Sequence, residues 1–336
     1  MRQFIERHTF WAIVLVLVIA VFLWLVFAVW PPWLVDAIGR KKTFVNTLIN
    51  GVTLGGLYFL VASGFTLVFG LMRNVNLAHG SMYLLGGYIG YDVAEATGSW
   101  FLGLGIAFLV IALSGALLQV LVFRRMEGDD LRQTLVTIGL SIVAADLMLA
   151  AWTGVTYQFN PPEWLFGAAK LPIISVVKSS GAAVYIKYPI YRLTVLLVAI
   201  GIGIALWIFL NRTRIGMMIR AGVNDRDMLS ASGVNVQLVF AVVFAIGAGL
   251  AGFAGVVGGT ALSISPGEDI RYLLASLVVV IVGGLGSVTG AAIGALIIGL
   301  AEQFGLAYFP TYGVVLTFLI MVFVLAVRPQ GIMGGR

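Results

Sequence analysis

Four polar side chains crowd into one interruption of an apolar run: Asn76, His79, Ser81 and Tyr83 lie between the span ending at Leu71 and the glycine-spaced stretch LLGGYIGY. Amide, imidazole and hydroxyl groups beside a helix N-terminus suit a polar solute or a carboxylate, because the first turn leaves backbone N–H groups unpaired. A second interruption, GGLGSVTG at 283–290, breaks an apolar region in the other half and gathers Gly283, Gly284 and Gly286. Paired interruptions point to a solute path, since half-helix ends bring backbone dipoles into the interior. Tight turns with capping residues are the other reading of both breaks, and Arg73 and Asn74 fit it better. Asp146 and Glu302 are isolated acids within apolar runs, where a carboxylate is costly and a functional candidate by default. A helix end solvating Glu302, or a hydroxyl beside Asp146, would account for them without function, and neither has an evident partner in the sequence.

Covalent chemistry finds little support. The chain has no cysteine, which removes disulfides, thiolate metal sites and a cysteine nucleophile together. Two histidines, His8 and His79, are too few for a histidine-built metal site, and no metal or other cofactor is expected. HExxH is absent, and no serine–acid set surrounds His79. Gly283, Gly284 and Gly286 do not make a dinucleotide site, because no strand precedes them and no lysine follows. There is no GxxxxGK[ST] loop, so any energy from ATP must come through another subunit.

The elements that hold these residues are membrane spans. Of 336 residues 61% are hydrophobic and 10% charged, far too little polar surface for a soluble domain of this length. The net charge of +6 comes from residues flanking apolar runs, not from a basic groove with aromatics, so no nucleic-acid partner is expected. Residues 10–30 read as a retained span with a Trp-Pro-Pro-Trp interfacial end, too long and bulky at its exit for a cleaved signal. Apolar runs follow from Thr43 onward, giving about nine transmembrane helices in an all-α, polytopic fold with interrupted, Gly-rich spans. Residues 1–42 form an extra N-terminal span and linker, and 43–336 a single transmembrane domain. Gly247, Gly249, Gly252, Gly255, Gly258 and Gly259 suit close helix approach in lipid.

The longest polar run is 211–237, NRTRIGMMIRAGVNDRDMLSASGVNVQ. Arg212, Arg214 and Arg220 place it on the cytoplasmic side by the positive-inside rule. Asn224 reads as the N-cap of a short helix reaching Ser232, Asp225 and Asp227 favour its first turn, and Gly233 stops it. A capped helix between two long spans suits docking into a soluble partner; an ordinary solvated loop is the bland reading. Parity then puts 72–79, 124–132 and 283–290 inside and the 153–190 loop outside. The charge bias is modest, and Arg40, Lys41 and Lys42 lie on the wrong side of it.

Four stretches carry a family resemblance: NGVTLGGLYFLVASGFTLVFGLMRNVNLAHGSMYLLGGY at 50–88, RTRIGMMIRAGVNDRDMLSASGVN at 212–235, GGLGSVTGAAIGALIIGLAE at 283–302 and RPQGIMG at 328–334. With the spans between them, they resemble the permease subunits of ABC importers for branched-chain amino acids and related solutes. The resemblance implies a bacterial inner-membrane subunit paired with a second permease chain, homologous or identical. It further implies two ATP-binding subunits on the cytoplasmic face, a periplasmic solute-binding protein, and alternating access driven by ATP. The 211–237 loop then resembles the coupling segment, with Arg220, Ala221, Asp227, Ala231, Gly233 and Asn235 matching the family pattern beside the cap Asn224. Gly222 stands where a bulkier residue is more usual, Val234 replaces isoleucine and Leu77 replaces phenylalanine. The first span is extra relative to shorter members.

Two other classes compete. A self-sufficient channel or secondary transporter, for urea or an amide for example, accounts for the paired breaks but gives the charged loop no role. A membrane-embedded enzyme lacks any nucleophile–base or metal set. Within the importer reading, branched-chain amino acids are the family default, while urea, short amides and carboxylates are carried by similar permeases.

Overall fold

The computed structural model describes residues 40–72, 75–126, 128–177 and 183–334. The apolar run at 10–30 lies outside the described residues, as do Arg73 and Asn74. The chain divides into two compact units, one of Met1–Ile49 with Gly167–Ile190, the other of Asn50–Phe166 with Tyr191–Arg336.

The smaller unit departs from the all-helical expectation. Strand β1, Ala168–Val177, pairs antiparallel with β2, Ala183–Pro189, so that Ala168 faces Pro189 and Val177 faces Ala183. Ile173, Ile174, Val176, Val184, Tyr185 and Tyr188 are β-branched or aromatic and favour a pleated ribbon over a helix. The register slips between Lys170 and Ile174, around Pro172, which has no N–H to give the ladder.

In the larger unit the helices are α1 (Lys41–Met72, from Asn50 on), α2 (His79–Thr97), α3 (Trp100–Leu121), α4 (Asp130–Trp152) and α5 (Ile190–Arg212, from Tyr191 on). Two short helices follow, α6 (Arg214–Asn224) and α7 (Arg226–Ala231), then α8 (Val236–Leu262), α9 (Glu268–Gly283), α10 (Val288–Tyr308) and α11 (Gly313–Val327). Among the described residues six helices are long and apolar enough to cross a membrane: α1, α3, α4, α5, α8 and α10. Helices α2, α9 and α11 fall outside that set by length or composition, so six spans meet these measures where about nine are read from the sequence.

Helix α8 is the centre of the unit, and its small residues explain why. A Cβ on Gly255 would run into the Tyr83 carbonyl of α2. One on Gly252 would stand 2.8 Å from Ile111 of α3, and one on Gly247 2.8 Å from the Gly64 carbonyl of α1. Lipid tails are as apolar as leucine, so backbone approach and dispersion, not hydrophobicity, draw such helices together. The bulky residues face the other way. Leu109 and Leu113 of α3, Leu135 and Ile142 of α4, and Leu197 and Ile204 of α5 are exposed, as a lipid-facing surface requires.

Caps set where the helices begin. Asp129 accepts from the Arg132 amide at 3.0 Å, Asn235 from Leu238 at 3.1 Å and Ser287 from Gly290 at 3.0 Å. Each bond satisfies one otherwise orphaned first-turn donor, worth about 1 kcal/mol.

Candidate functional site

The two interruptions of the sequence differ in depth. Leu71, near the end of α1, packs with Ile219 of α6 and with Val239 and Phe240 of α8, which fixes that end of the unit. His79, the first residue of α2, bonds through Nε2 to the Val61 carbonyl at 3.0 Å. Val61 lies ten residues before Leu71, about 15 Å along a helix. Residues 75–78 therefore carry the chain back to the level of Val61, so α2 begins well inside the length of α1. The α4 side agrees: the Leu77 amide donates to Thr137 Oγ1 at 3.1 Å, and Ser81 Oγ reaches the Ser141 carbonyl at 3.5 Å.

Asn76 closes this turn. Its Oδ1 accepts from the Ala78 amide at 3.1 Å, and its carbonyl accepts from the His79 amide at 3.2 Å. His79 is 1% exposed, with the Phe65 ring standing edge-on at 5.4 Å. The glycine after it fits because α9 comes close: a Cβ on Gly80 would strike the Asp269 carbonyl.

The second interruption is a turn at the α6 end. Gly284 (φ 109°) and Gly286 (φ 80°) take backbone conformations that side chains rarely adopt, and Gly286 meets Gly70 of α1. The C-terminal segment seals it, since the Ile332 and Met333 amides donate to the Val282 and Gly283 carbonyls, each at 2.9 Å. Gly70 is nine residues from Val61, about 14 Å along α1, so Gly283, Gly284 and Gly286 lie at a different depth from His79. Asn76, His79, Ser81 and Tyr83 stand at the start of α2 but take separate partners, Ala78, Val61, Ser141 with Asp269, and Tyr272; the three glycines lie elsewhere.

The interior polar residues extend beyond the expected set. Ser81 Oγ reaches Asp269 Oδ2 at 3.5 Å, and Asp269 is buried near the start of α9. The Tyr83 ring lies 4.1 Å from Tyr272, which stands 6.3 Å from Tyr58 on α1. Tyr58 donates to Glu302 Oε2 at 2.5 Å, and Arg271 reaches Glu302 Oε1 at 3.5 Å. Glu302 thus has both partners that the sequence left unnamed, and their pairing offsets the cost of a carboxylate in an apolar layer. The missed signal was Arg271, a cation directly before the apolar run YLLASLVVVIVG. Asp146, by contrast, is exposed on α4 between the exposed Val143 and Leu147.

The 211–237 segment forms two helices where one is expected. Asn224 ends α6 and is not the cap; Asp225 is, its Oδ1 accepting from the Met228 amide at 3.0 Å with an extended backbone at φ −154°. An ionised acceptor at a helix N-terminus gains from the macrodipole as well as the hydrogen bond, which favours Asp225 over its amide neighbour. Helix α7 ends at Ala231; Gly233 (φ 80°) turns the chain and Asn235 caps α8. Arg220 donates to Asn211 Oδ1 at 3.1 Å. The side chains of Asn224 and Asp227 lie outside those described. Ile219 and Leu229 are buried, while Met217, Ala221, Met228 and Ala231 face outward. The pair therefore has an anchored apolar side and a free, partly apolar one.

Buried helices with an interior break, outer helices exposing apolar faces and a packed pair of short polar helices define a polytopic membrane protein. The chain matches the family described as branched-chain amino acid transport system / permease component over residues 47–325, and it belongs to that family. It is 31% identical to the high-affinity branched-chain amino acid transport system permease protein LivH of Salmonella typhimurium, over 87% of this chain and 96% of that one. It is 28% identical to the corresponding permease protein BraD of Pseudomonas aeruginosa, with the same coverage. The ribose import permease protein RbsC of Haemophilus influenzae matches at 26% over 89% of this chain and 84% of its own. No solved structure shows significant similarity to the chain. The protein is a multi-pass permease of the bacterial inner membrane.

Proposed function

We propose that this chain is the transmembrane subunit of an ATP-driven importer, moving branched-chain amino acids or a closely related small solute inward by alternating access. The observation that carries this reading is the double attachment of α6 and α7. Ile219 packs with Leu67 and Leu71 of α1 and with Val239, Phe240 and Val243 of α8, and Gly222 fits between Leu71 and Leu229. Helix α1 also carries Val61, on which α2 is hung through His79. A push on the exposed side of α6–α7 is thereby delivered to α1 and α8, and along α1 to the residues of the interior break. A channel or self-powered carrier has no use for such an attachment.

The partners in this reading are two ATP-binding subunits against Arg220, Ala221, Asn224, Asp227, Ala231, Gly233 and Asn235, a second permease chain, and a periplasmic solute-binding protein. This chain catalyses no covalent step. Asn76, His79, Ser81 and Tyr83 line the path, with residues 43–336 as the permease domain behind an additional N-terminal span, about nine spans in all. The relatives named for branched-chain amino acids support that substrate class, and the matched ribose permease sets the width of the family.

The test is uptake of labelled leucine, isoleucine and valine by cells lacking this gene, complemented with wild type or with Met228→Glu. Uptake restored by wild type and not by the variant supports the reading. Uptake unaffected by loss of the gene, for these solutes and for a panel of short amides and carboxylates, overturns it.

A further inference from the structure

Two cavities that share Val288 run end to end along the side of α1 that lies between α5 and α10. The longer, ≈ 530 Å³, is an apolar groove lined by Gly56 and Phe59 of α1, Gly203 and Trp207 of α5, and Ala292 and Leu296 of α10. The shorter, ≈ 230 Å³, lies where α1 meets α6 and the turn at Gly286, and two of its lining residues are polar. Arg220 of α6 is exposed and uses one of its five donors on Asn211 Oδ1 at 3.1 Å. Arg212 and Arg214, next along the chain from Asn211, are exposed as well. Thr66 of α1 is the other polar residue. It is 1% exposed, and among the described residues its Oγ1 has no hydrogen-bond partner. Helical threonines commonly turn the hydroxyl back to the carbonyl four residues earlier, as Thr260 does to Val256 and Thr134 to Asp130. Thr66 does not, and it stands in the cavity wall one helical turn, about 6 Å, from Gly70.

We infer that the joined cavities hold an anionic phospholipid of the cytoplasmic leaflet. Arg220 takes the phosphate with its planar fork, Thr66 donates to an ester carbonyl, and an acyl chain lies in the groove between α5 and α10. The order of groups along α1 is the order along a phospholipid: charge, ester, hydrocarbon. The headgroup is anionic because this end carries Arg212, Arg214 and Arg220 while no carboxylate lines the cavity, so the cation of a zwitterionic headgroup meets no partner. A second copy of the chain could cover the apolar groove, but it would give Arg220 no anion and the Thr66 hydroxyl no acceptor. A lipid seated here ties α6 to α1 and α10. The inference rests on the cytoplasmic placement of α6 for the choice of leaflet, and the binding itself needs neither ATP nor partner subunits.

The test is native mass spectrometry of the purified full chain, stripped of lipid in detergent and titrated with dioleoyl phosphatidylglycerol or dioleoyl phosphatidylcholine. The two lipids share their chains and differ in net charge. Wild type retains phosphatidylglycerol with about tenfold preference. Arg220→Gln brings that preference close to unity, and Thr66→Val, of nearly the same shape, weakens retention of both lipids at least about threefold. Ala292→Trp fills the groove from an exposed position and also weakens retention of both. Arg124→Gln makes the same change of charge at an exposed residue outside the cavity and binds as wild type does. Phosphatidylglycerol raises the thermal midpoint of wild type and of Arg124→Gln, and not that of Ala292→Trp. Equal retention of the two lipids by wild type, an undiminished preference in Arg220→Gln, or undiminished retention in Ala292→Trp each overturns the site. A dimer that retains no lipid overturns it too and assigns the groove to a second copy. The importer reading survives any of these results and falls only on uptake or on association with ATP-binding subunits.

Discussion

The phenol of Tyr58 donates a 2.5 Å hydrogen bond to Glu302, joining α1 to α10 across a separation of 244 residues. Glu302 is 8% exposed, so this bond and the Arg271 contact are what make its charge tolerable. Tyr58→Phe removes the donor and keeps the ring against Tyr272. The expected loss is about 1.5–3 kcal/mol, as for a hydrogen bond to a charged group, read as a lowered thermal midpoint in detergent. An unchanged midpoint would show that Glu302 is satisfied without Tyr58.

Gly255 and Gly105 make a matched pair. A Cβ at 255 collides with the Tyr83 backbone, whereas one at 105 meets nothing within 4 Å. Gly255→Ala forces α8 from α2 and costs about 1–3 kcal/mol. Gly105→Ala is neutral or gains up to about 1 kcal/mol from helix propensity. Thermal unfolding of the two variants side by side gives the answer, and equal behaviour would contradict the close approach of α8 to α2.

Asp225 and Asn224 separate the two descriptions of the 211–237 segment. Asp225→Ala removes the α7 cap at a cost of about 1 kcal/mol, so amide exchange quickens across 226–231. Asn224→Ala leaves those amides nearly unchanged. Faster exchange in the second variant, and not in the first, would restore Asn224 as the cap.

His79→Leu stays close to the volume of the imidazole and deletes the bond to the Val61 carbonyl. The account expects reduced uptake at near-normal membrane abundance, because the start of α2 loses its tie to α1. Normal uptake with a normal substrate profile would remove His79 from the path.

Much of this was legible in the sequence because single residues carry the signal. The polar residues of 76–81, the glycine stripe of α8 and the charged 211–237 run are local patterns, and each forms a recognisable feature. What the sequence hid depends on distance along the chain. Nothing near Glu302 names Tyr58 or Arg271 as its partner, since those contacts exist only once α1, α9 and α10 are packed. Depth was hidden too: the two breaks look alike as strings, yet 75–78 return the chain to the level of Val61 and 283–290 turn at the level of Gly70. The hairpin of β1 and β2 was obscured by Pro172 and by lysines that interrupt the alternation expected of a strand. Asn224 and Asp225 are both good caps, and only the backbone at 225 decides between them.

The central claim, that the outward side of α6–α7 docks ATP-binding subunits, is tested most directly by purifying the tagged chain from its native membranes in mild detergent and identifying what accompanies it. Met228→Glu and Ala231→Glu serve as comparison variants, since Met228 is 68% exposed and Ala231 is exposed on the same short helix. The account predicts that ATP-binding chains co-purify with wild type and are lost from both variants at equal yield of folded protein. Wild type emerging stable and alone, under several detergents, would contradict it and favour a transporter that needs no external motor.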